Sequence, residues 1–167
     1  MTTYLRPQRT VCFILLPYVH LLDLSGAAQA FYEASQIKSV RHNVIFCATQ
    51  ATLQTEQGLS LTNLKNVNEV ALHPSDFIFI PGINFQQFKA GKLKQEMKNL
   101  HAWLFQQKER GVQIASICSG SLILAELGIL NYKKSTSHWK CIDYIKSKYP
   151  KTIVQSNKLF VNDGNIY

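Results

Sequence analysis

Cys118 stands where an apolar, β-type run, Val112 to Ile117, gives way to Ser119-Gly120-Ser121 and a helical pattern from Leu122 to Leu127. A strand that turns sharply into a helix leaves one side chain at the bend, aimed off the end of the sheet. A thiol there meets the unpaired N–H groups of a helix N-terminus, which favour the thiolate. Its pKa is therefore expected to fall, and Cys118 to be the most reactive of the four cysteines. Such a thiolate could attack an electrophilic carbon while the N–H groups of Gly82 and Ser119 receive the developing negative charge. His138, twenty positions past the cysteine, could pair with the thiolate, and Asp23 could approach from the first strand. A charged Asp23 would raise the thiol pKa; a protonated one donating a hydrogen bond would lower it. The bland alternative for Cys118 is a small buried thiol at a strand end. His20, His42, His73 and His101 have no comparable company and read as surface or packing histidines.

The elements that must position these groups follow from the apolar pattern. Val11 to Leu16 is a continuous apolar run, as in a strand covered on both faces. Ser25 reads as the N-cap of a helix from Ala27 to Ile37. Asn43 to Ala48 is a second strand, and Gln57-Gly58 with Leu59 to Leu61 marks a small antiparallel excursion. Asp76 to Ile80 is a third core strand ending in a Pro81-Gly82 turn. A long helix from Leu93 to Glu109 buries Leu93, Met97, Leu100 and Leu104, and Gly111 stops it. After the elbow helix, a further helix spans Trp139 to Lys148 and Pro150 ends it. Short strands are expected at Ile153-Val154 and at Leu159 to Val161, followed by a turn at Asn162-Asp163-Gly164 into a strand start at Asn165-Ile166-Tyr167. Strands alternating with helices imply an α/β protein with a mostly parallel sheet and helices on both faces. Ligands of such sheets collect at the carboxyl ends of strands, where Asp23, Gly82 and Cys118 all fall. That convergence favours a functional role for Cys118.

Composition narrows the partners. A chain of 167 residues with 46% hydrophobic and 17% charged residues is an ordinary single globular domain. The net charge of +8 raises the question of nucleic acid, but the lysines are scattered and no DNA-reading motif is present. Solvated basic faces account for the charge. Cys12, Cys47, Cys118 and Cys141 show no C-x-x-C pair and no metal-ligand spacing, so neither a metal nor a cofactor is expected. A reduced, cytoplasmic chain fits these thiols. Arg6, Arg9 and the apolar run after them imitate a signal peptide, yet Pro17, His20 and Asp23 interrupt it. The run is also far too short to span a membrane.

An ordered set of segments resembles the ThiJ/PfpI family of the class I glutamine amidotransferase-like superfamily. The matching pieces are L-L-D-L-S-G (21–26), D-F-I-F-I-P-G (76–82), I-C-S-G-S (117–121), L-A-E-L-G-I-L (124–130), T-S-H-W (136–139), Y-P (149–150) and N-D-G-N-I-Y (162–167). The resemblance implies a flavodoxin-like three-layer sandwich with a nucleophile elbow at Cys118, and commonly a homodimer. It is closest to the amino-terminal domains of AraC-type transcription regulators. On that resemblance the chain is expected to sense a small molecule near Cys118, with DNA bound only by a separate domain beyond Tyr167. The isonitrile hydratase branch is similar too, its aspartate, cysteine and following threonine mapping onto Asp23, Cys118 and Ser119. A cysteine-dependent hydratase or amide hydrolase, or a redox or carbonyl-stress protein using Cys118, are the alternatives.

Departures from the family pattern sharpen the expectation. Ser119 stands where the peptidase-like members have histidine, which argues against peptidase chemistry. Ile83 follows Gly82 where many relatives have a second glycine, narrowing the expected oxyanion pocket of Gly82, Ile83 and Ser119. Ala27 replaces a frequent proline. The family continues past Tyr167 with the rest of a strand and a covering helix, so residues 1–167 are expected to form the domain without its final strand-helix unit. Asp23 and His138 alone are available for acid–base work, which favours regulation over turnover.

Overall fold

Side chains along the first strand alternate between two apolar layers, and that alternation organises the molecule. The computed structural model describes residues 9–37 and 41–167; Arg6 lies outside the described residues. In chain order the elements are β1 (Arg9–Ile14), α1 (Leu21–Ser35) and β2 (His42–Ala48), then the short strands β3 (Leu53–Gln54), β4 (Ser60–Leu61) and β5 (Lys65–Asn66). They continue with β6 (Phe77–Ile80), α2 (Phe85–Lys89), α3 (Lys94–Glu109), β7 (Gln113–Ser116) and α4 (Ser121–Glu126). The chain ends with β8 (Lys134–Ser135), α5 (Trp139–Lys148) and β9 (Ile153–Val154). The central sheet has the order β5-β2-β1-β6-β7, and every pair in it is parallel. The expected strand start at Asn165-Ile166-Tyr167 runs along β7, through Ile114 N–H to the Asn165 carbonyl (2.8 Å) and Tyr167 N–H to the Ile114 carbonyl (2.8 Å).

Val11, Phe13 and Leu15 face one layer, where Leu24, Ala27, Ala28 and Phe31 of α1 cover them. Cys12, Ile14 and Leu16 face the other, with Met97, Leu100, Trp103 and Leu104 of α3, the apolar residues of α4, and Cys141 and Ile145 of α5. A strand covered on both faces loses the polar alternation of a half-exposed one, which is why Val11 to Leu16 is uniformly apolar. Phe13 centres the first layer, its ring stacked on Phe46 (5.7 Å) and Phe79 (5.4 Å) and edge-on to Phe31 (6.5 Å). The antiparallel excursion is the β3–β4 pair, and β8 pairs with β9 in a separate parallel ribbon.

Three local expectations change. The first helix begins at Leu21 rather than Ala27, and Ser25 is an exposed residue inside it rather than its cap. Tertiary hydrogen bonds move the start: His20 N–H donates to the Gly82 carbonyl (2.8 Å) and Asn84 N–H to the Tyr18 carbonyl (3.0 Å). These hold the chain so that Leu24 joins the buried stripe. Leu159 to Val161 forms no strand: Leu159 and Phe160 are exposed, and the chain before them is held by a side chain instead of a ladder, the Lys158 carbonyl accepting from the Thr136 hydroxyl (3.0 Å). Finally, α2 is a short helix the pattern does not announce, started by Asn84, whose Oδ1 accepts from the Gln87 N–H (2.9 Å).

Asp76 ties the sheet entrance together. Its buried carboxylate accepts from the Thr10 N–H on β1 (2.8 Å) and from the His73 N–H (2.8 Å). Asp76→Asn leaves one of these donors facing an amide NH₂, and urea unfolding is expected to show a loss of about 1–2 kcal/mol. An unchanged midpoint would refute this role.

Candidate functional site

The elbow is built from close backbone approach. Strand β7 passes into a 3₁₀ turn, Cys118–Gly120, and then into α4. Cys118 adopts φ 56°, a left-handed conformation that a non-glycine residue holds only when its surroundings enforce it. Those surroundings are explicit. The Ile117 N–H donates to the Ile80 carbonyl (2.9 Å), and the buried Ser119 hydroxyl donates to the Ile83 carbonyl (2.7 Å) while accepting from the Ile83 N–H (2.9 Å). The Cys118 carbonyl takes the Ser137 hydroxyl (3.3 Å) and the His138 N–H (3.4 Å), and Ser121 and Ser137 join through their hydroxyls (2.6 Å). The Thr136-Ser137-His138-Trp139 segment is thereby pinned to the bend. Ser137 and Ser121 are not among the expected site residues, although both lie in the quoted segments I-C-S-G-S and T-S-H-W; the pairing of their hydroxyls is set only by folding.

Asp23 reaches the elbow from the first turn of α1, not from the end of β1. The hydrogen bonds between Tyr18–His20 and Gly82–Asn84 lay the loop after β1 against the loop after β6, which delivers Asp23 to Gly82. A Cβ at Gly82 would sit 2.1 Å from Asp23 Oδ2, so only glycine leaves room for the carboxylate. His20 comes with it: Nδ1 lies 3.3 Å from Asp23 Oδ2. The ligand-type atoms of His20, Asp23 and Cys118 all lie within 4.8 Å of one another. His20, expected as a surface or packing histidine, therefore stands in the candidate site beside Asp23 and Cys118. His20-x-x-Asp23 was the available signal, since residues three apart share one face of a helical turn.

Burial first, and the neighbouring Asp23 charge second, push the Cys118 thiol above the usual cysteine range, with the Ser119 N–H partly offsetting them. The expected lowering by the helix terminus does not prevail. Helix α4 has six residues and is preceded by a 3₁₀ turn, so few aligned peptides face the sulfur, whereas the aspartate does. The other thiols are buried. Burial and the proximity of Cys118 push Cys141 up to about 11, and the Cys47 sulfur 3.4 Å away helps drive Cys12 higher still.

A cavity of about 490 Å³ opens beside the cluster, lined among others by His20, Asp23, Asn84, Cys118, Ser119 and His138. On the other side of Cys118 a second cavity of about 400 Å³ is lined by Phe79, Ser135, His138, Phe160 and Tyr167. His138 borders both, but it is the N-cap of α5, and its Nδ1 accepts from the Lys140 N–H (3.3 Å). Its imidazole thus makes its hydrogen bond to the helix start rather than to the thiol. Ile83 is fully buried, with its N–H held by Ser119, which leaves Gly82 and the Ser119 backbone as the N–H candidates nearest Cys118.

Known proteins extend this picture. The chain is 39% identical over 156 residues to the HTH-type transcriptional regulator CdhR of Pseudomonas aeruginosa, covering 91% of this chain and 43% of that protein. It is 24% identical to the isonitrile hydratase of Pseudomonas putida, over 93% of this chain and 62% of the enzyme. The chain thus spans less than half the length of the regulator. Among solved structures, an AraC family transcriptional regulator from Pseudomonas putida superposes with a TM-score of 0.72 at 16% identity, over 95% of this chain and 81% of the other. That likeness confirms the expected fold, a mostly parallel sheet between helical layers. The DJ-1/PfpI family model matches residues 9–167. An ordered elbow, a carboxylate facing its thiol and a match along nearly the whole length agree: this chain belongs to the DJ-1/PfpI family.

Proposed function

We propose that the chain is the ligand-sensing domain of an AraC-type transcription regulator and binds a small molecule beside Cys118. The observation that carries this reading is the 39% identity to a helix-turn-helix regulator over 91% of the chain. The two cavities bordering Cys118 supply room for a ligand. Regulation rather than turnover fits a thiol that burial and Asp23 push above the ordinary cysteine range, and a His138 whose Nδ1 is taken up at the start of α5. On this reading the domain works as a cytoplasmic homodimer, and DNA is contacted through a separate helix-turn-helix domain. The dispersed +8 charge of residues 1–167 then gives only weak, salt-sensitive attraction to DNA. No helix among the described residues is long and apolar enough to cross a membrane.

A hydratase remains the second reading because Asp23 faces the thiol as an acid–base partner would, and because isonitrile hydratase is a relative. One experiment separates the two. The chain is incubated with isonitriles, small amides and reactive aldehydes, alongside Cys118→Ala and Asp23→Ala. Thermal stabilisation without turnover, lost in both variants, is expected; a ligand at a hundred times its Kd contributes about 2.7 kcal/mol. Robust turnover that disappears in both variants would replace the sensor with the hydratase.

A further inference from the structure

Beyond an organic ligand, the cluster at the elbow has the makings of a cation site. We propose that the His20 imidazole, the Asp23 carboxylate and the Cys118 thiolate together bind one thiophilic divalent cation of the zinc class. The proposal rests on the reading of Cys118 as the centre of a ligand site and names the ligand's chemical class.

Geometry supports it first. Tetrahedral zinc, with bonds of about 2.0–2.3 Å, places neighbouring ligand atoms roughly 3.3–3.6 Å apart. His20 Nδ1 and Asp23 Oδ2 already stand 3.3 Å apart, and the third ligand atom lies within 4.8 Å of both. Closure by about 1 Å, within reach of a cysteine side-chain rotation, completes three bonds. The three ligands come from two loops tied together by main-chain hydrogen bonds. His20 and Asp23 sit at the start of α1, whose loop is bonded to Gly82 and Asn84, and Cys118 sits on an elbow anchored to Ile80 and Ile83. Preorganisation of that kind lowers the ordering cost of binding.

Ligand chemistry supports it second. One nitrogen, one carboxylate oxygen and one thiolate sulfur suit a borderline-soft ion and disfavour magnesium or calcium, which take oxygen ligands. Charge balances as well: a carboxylate and a thiolate offset a dication, and the imidazole binds neutral. The sulfur–metal bond forms as the S–H proton passes to water or buffer, and an imidazole lone pair replaces the His20–Asp23 hydrogen bond. His20 and Asp23 keep side-chain exposures of 32% and 19%, and the neighbouring cavity of about 490 Å³ leaves a fourth position for water or a ligand group. Lys140 is the cation on the same cavity wall, and its Nζ lies over the Trp139 ring at 5.1 Å.

Cobalt(II) is the probe, because a thiolate–cobalt bond has a near-ultraviolet charge-transfer band. Reduced, chelator-free protein is titrated with cobalt(II), then with zinc(II) as competitor and magnesium(II) as control. Expected are a 1:1 band that zinc abolishes and magnesium does not, no band in Cys118→Ser, and affinity at least about tenfold weaker in His20→Ala and Asp23→Asn. Circular dichroism melts establish that each variant is folded. A missing band, or one retained in Cys118→Ser, overturns the metal site. If organic ligands still stabilise the protein in that case, the sensor reading stands; cobalt binding without any organic ligand would sustain the metal site alone.

Discussion

Gly120→Ala is expected to lose about 3 kcal/mol of folding stability, a large effect for one methyl group. Gly120 has φ −59° and ψ −26°, a right-handed helical conformation open to any residue. Judged on backbone propensity alone, alanine there would stabilise the helix start by about 0.5–1 kcal/mol. The sign reverses because the new Cβ would lie 2.1 Å from the Ile80 carbonyl oxygen and 2.8 Å from that of Pro81. Neither oxygen can rotate away as a side chain would. The Ile80 carbonyl is also the acceptor for the Ile117 N–H, so retreat breaks the bond that closes the elbow. Overpacking a well-filled site costs about 1–3 kcal/mol, and a backbone obstacle belongs at the upper end. Chemical denaturation measures it directly. An unchanged or raised midpoint would mean that the turn relaxes where close packing leaves no space.

Thiol labelling should separate Cys118 from the other cysteines by at least about a hundredfold in rate. Cys12, Cys47 and Cys141 are almost completely buried, so a reagent reaches them only when the structure opens. An opening that costs about 3 kcal/mol already gives the hundredfold factor. The pH dependence has a definite sign. Because burial and Asp23 raise the Cys118 pKa, less thiolate is present at neutral pH than in an ordinary cysteine. The alkylation rate in the presence of chelator should therefore keep rising above the pH where a free cysteine levels off. Asp23→Asn removes the repelling charge, so its profile should move toward lower pH and its rate at neutral pH should increase. Peptide mapping after limiting alkylation reads the site. Preferential labelling of a buried cysteine, or a profile below that of free cysteine, would contradict this account.

These two expectations concern one construction. The same approach of the elbow to the loop after β6 that excludes a side chain at Gly120 also places Ser119 against Ile83 and Gly82 against Asp23. A change that loosens the turn should therefore disturb the thiol's surroundings along with stability.

The sequence by itself determined the parallel α/β arrangement, because strands covered on both faces must be uniformly apolar and crossover helices must carry one apolar stripe. Val11 to Leu16, the Met97-Leu100-Leu104 stripe and the Trp139–Lys148 helix were legible for that local reason. The elbow was legible too, since small residues after Cys118 are what a tight strand-to-helix turn requires. Tertiary structure decided the rest. Leu21 begins α1 because the His20 N–H finds the Gly82 carbonyl, sixty-two positions away, and no local pattern encodes that bond. The same contact brings the His20–Asp23 pair to Cys118, whereas His138, placed beside the cysteine by its spacing and segment, directs its Nδ1 to the Lys140 N–H. Which charges surround the thiol, and hence the direction of its pKa shift, depends on that long-range meeting of loops: a pattern of apolar residues specifies what must be buried, and only packing specifies which polar groups end up facing one another.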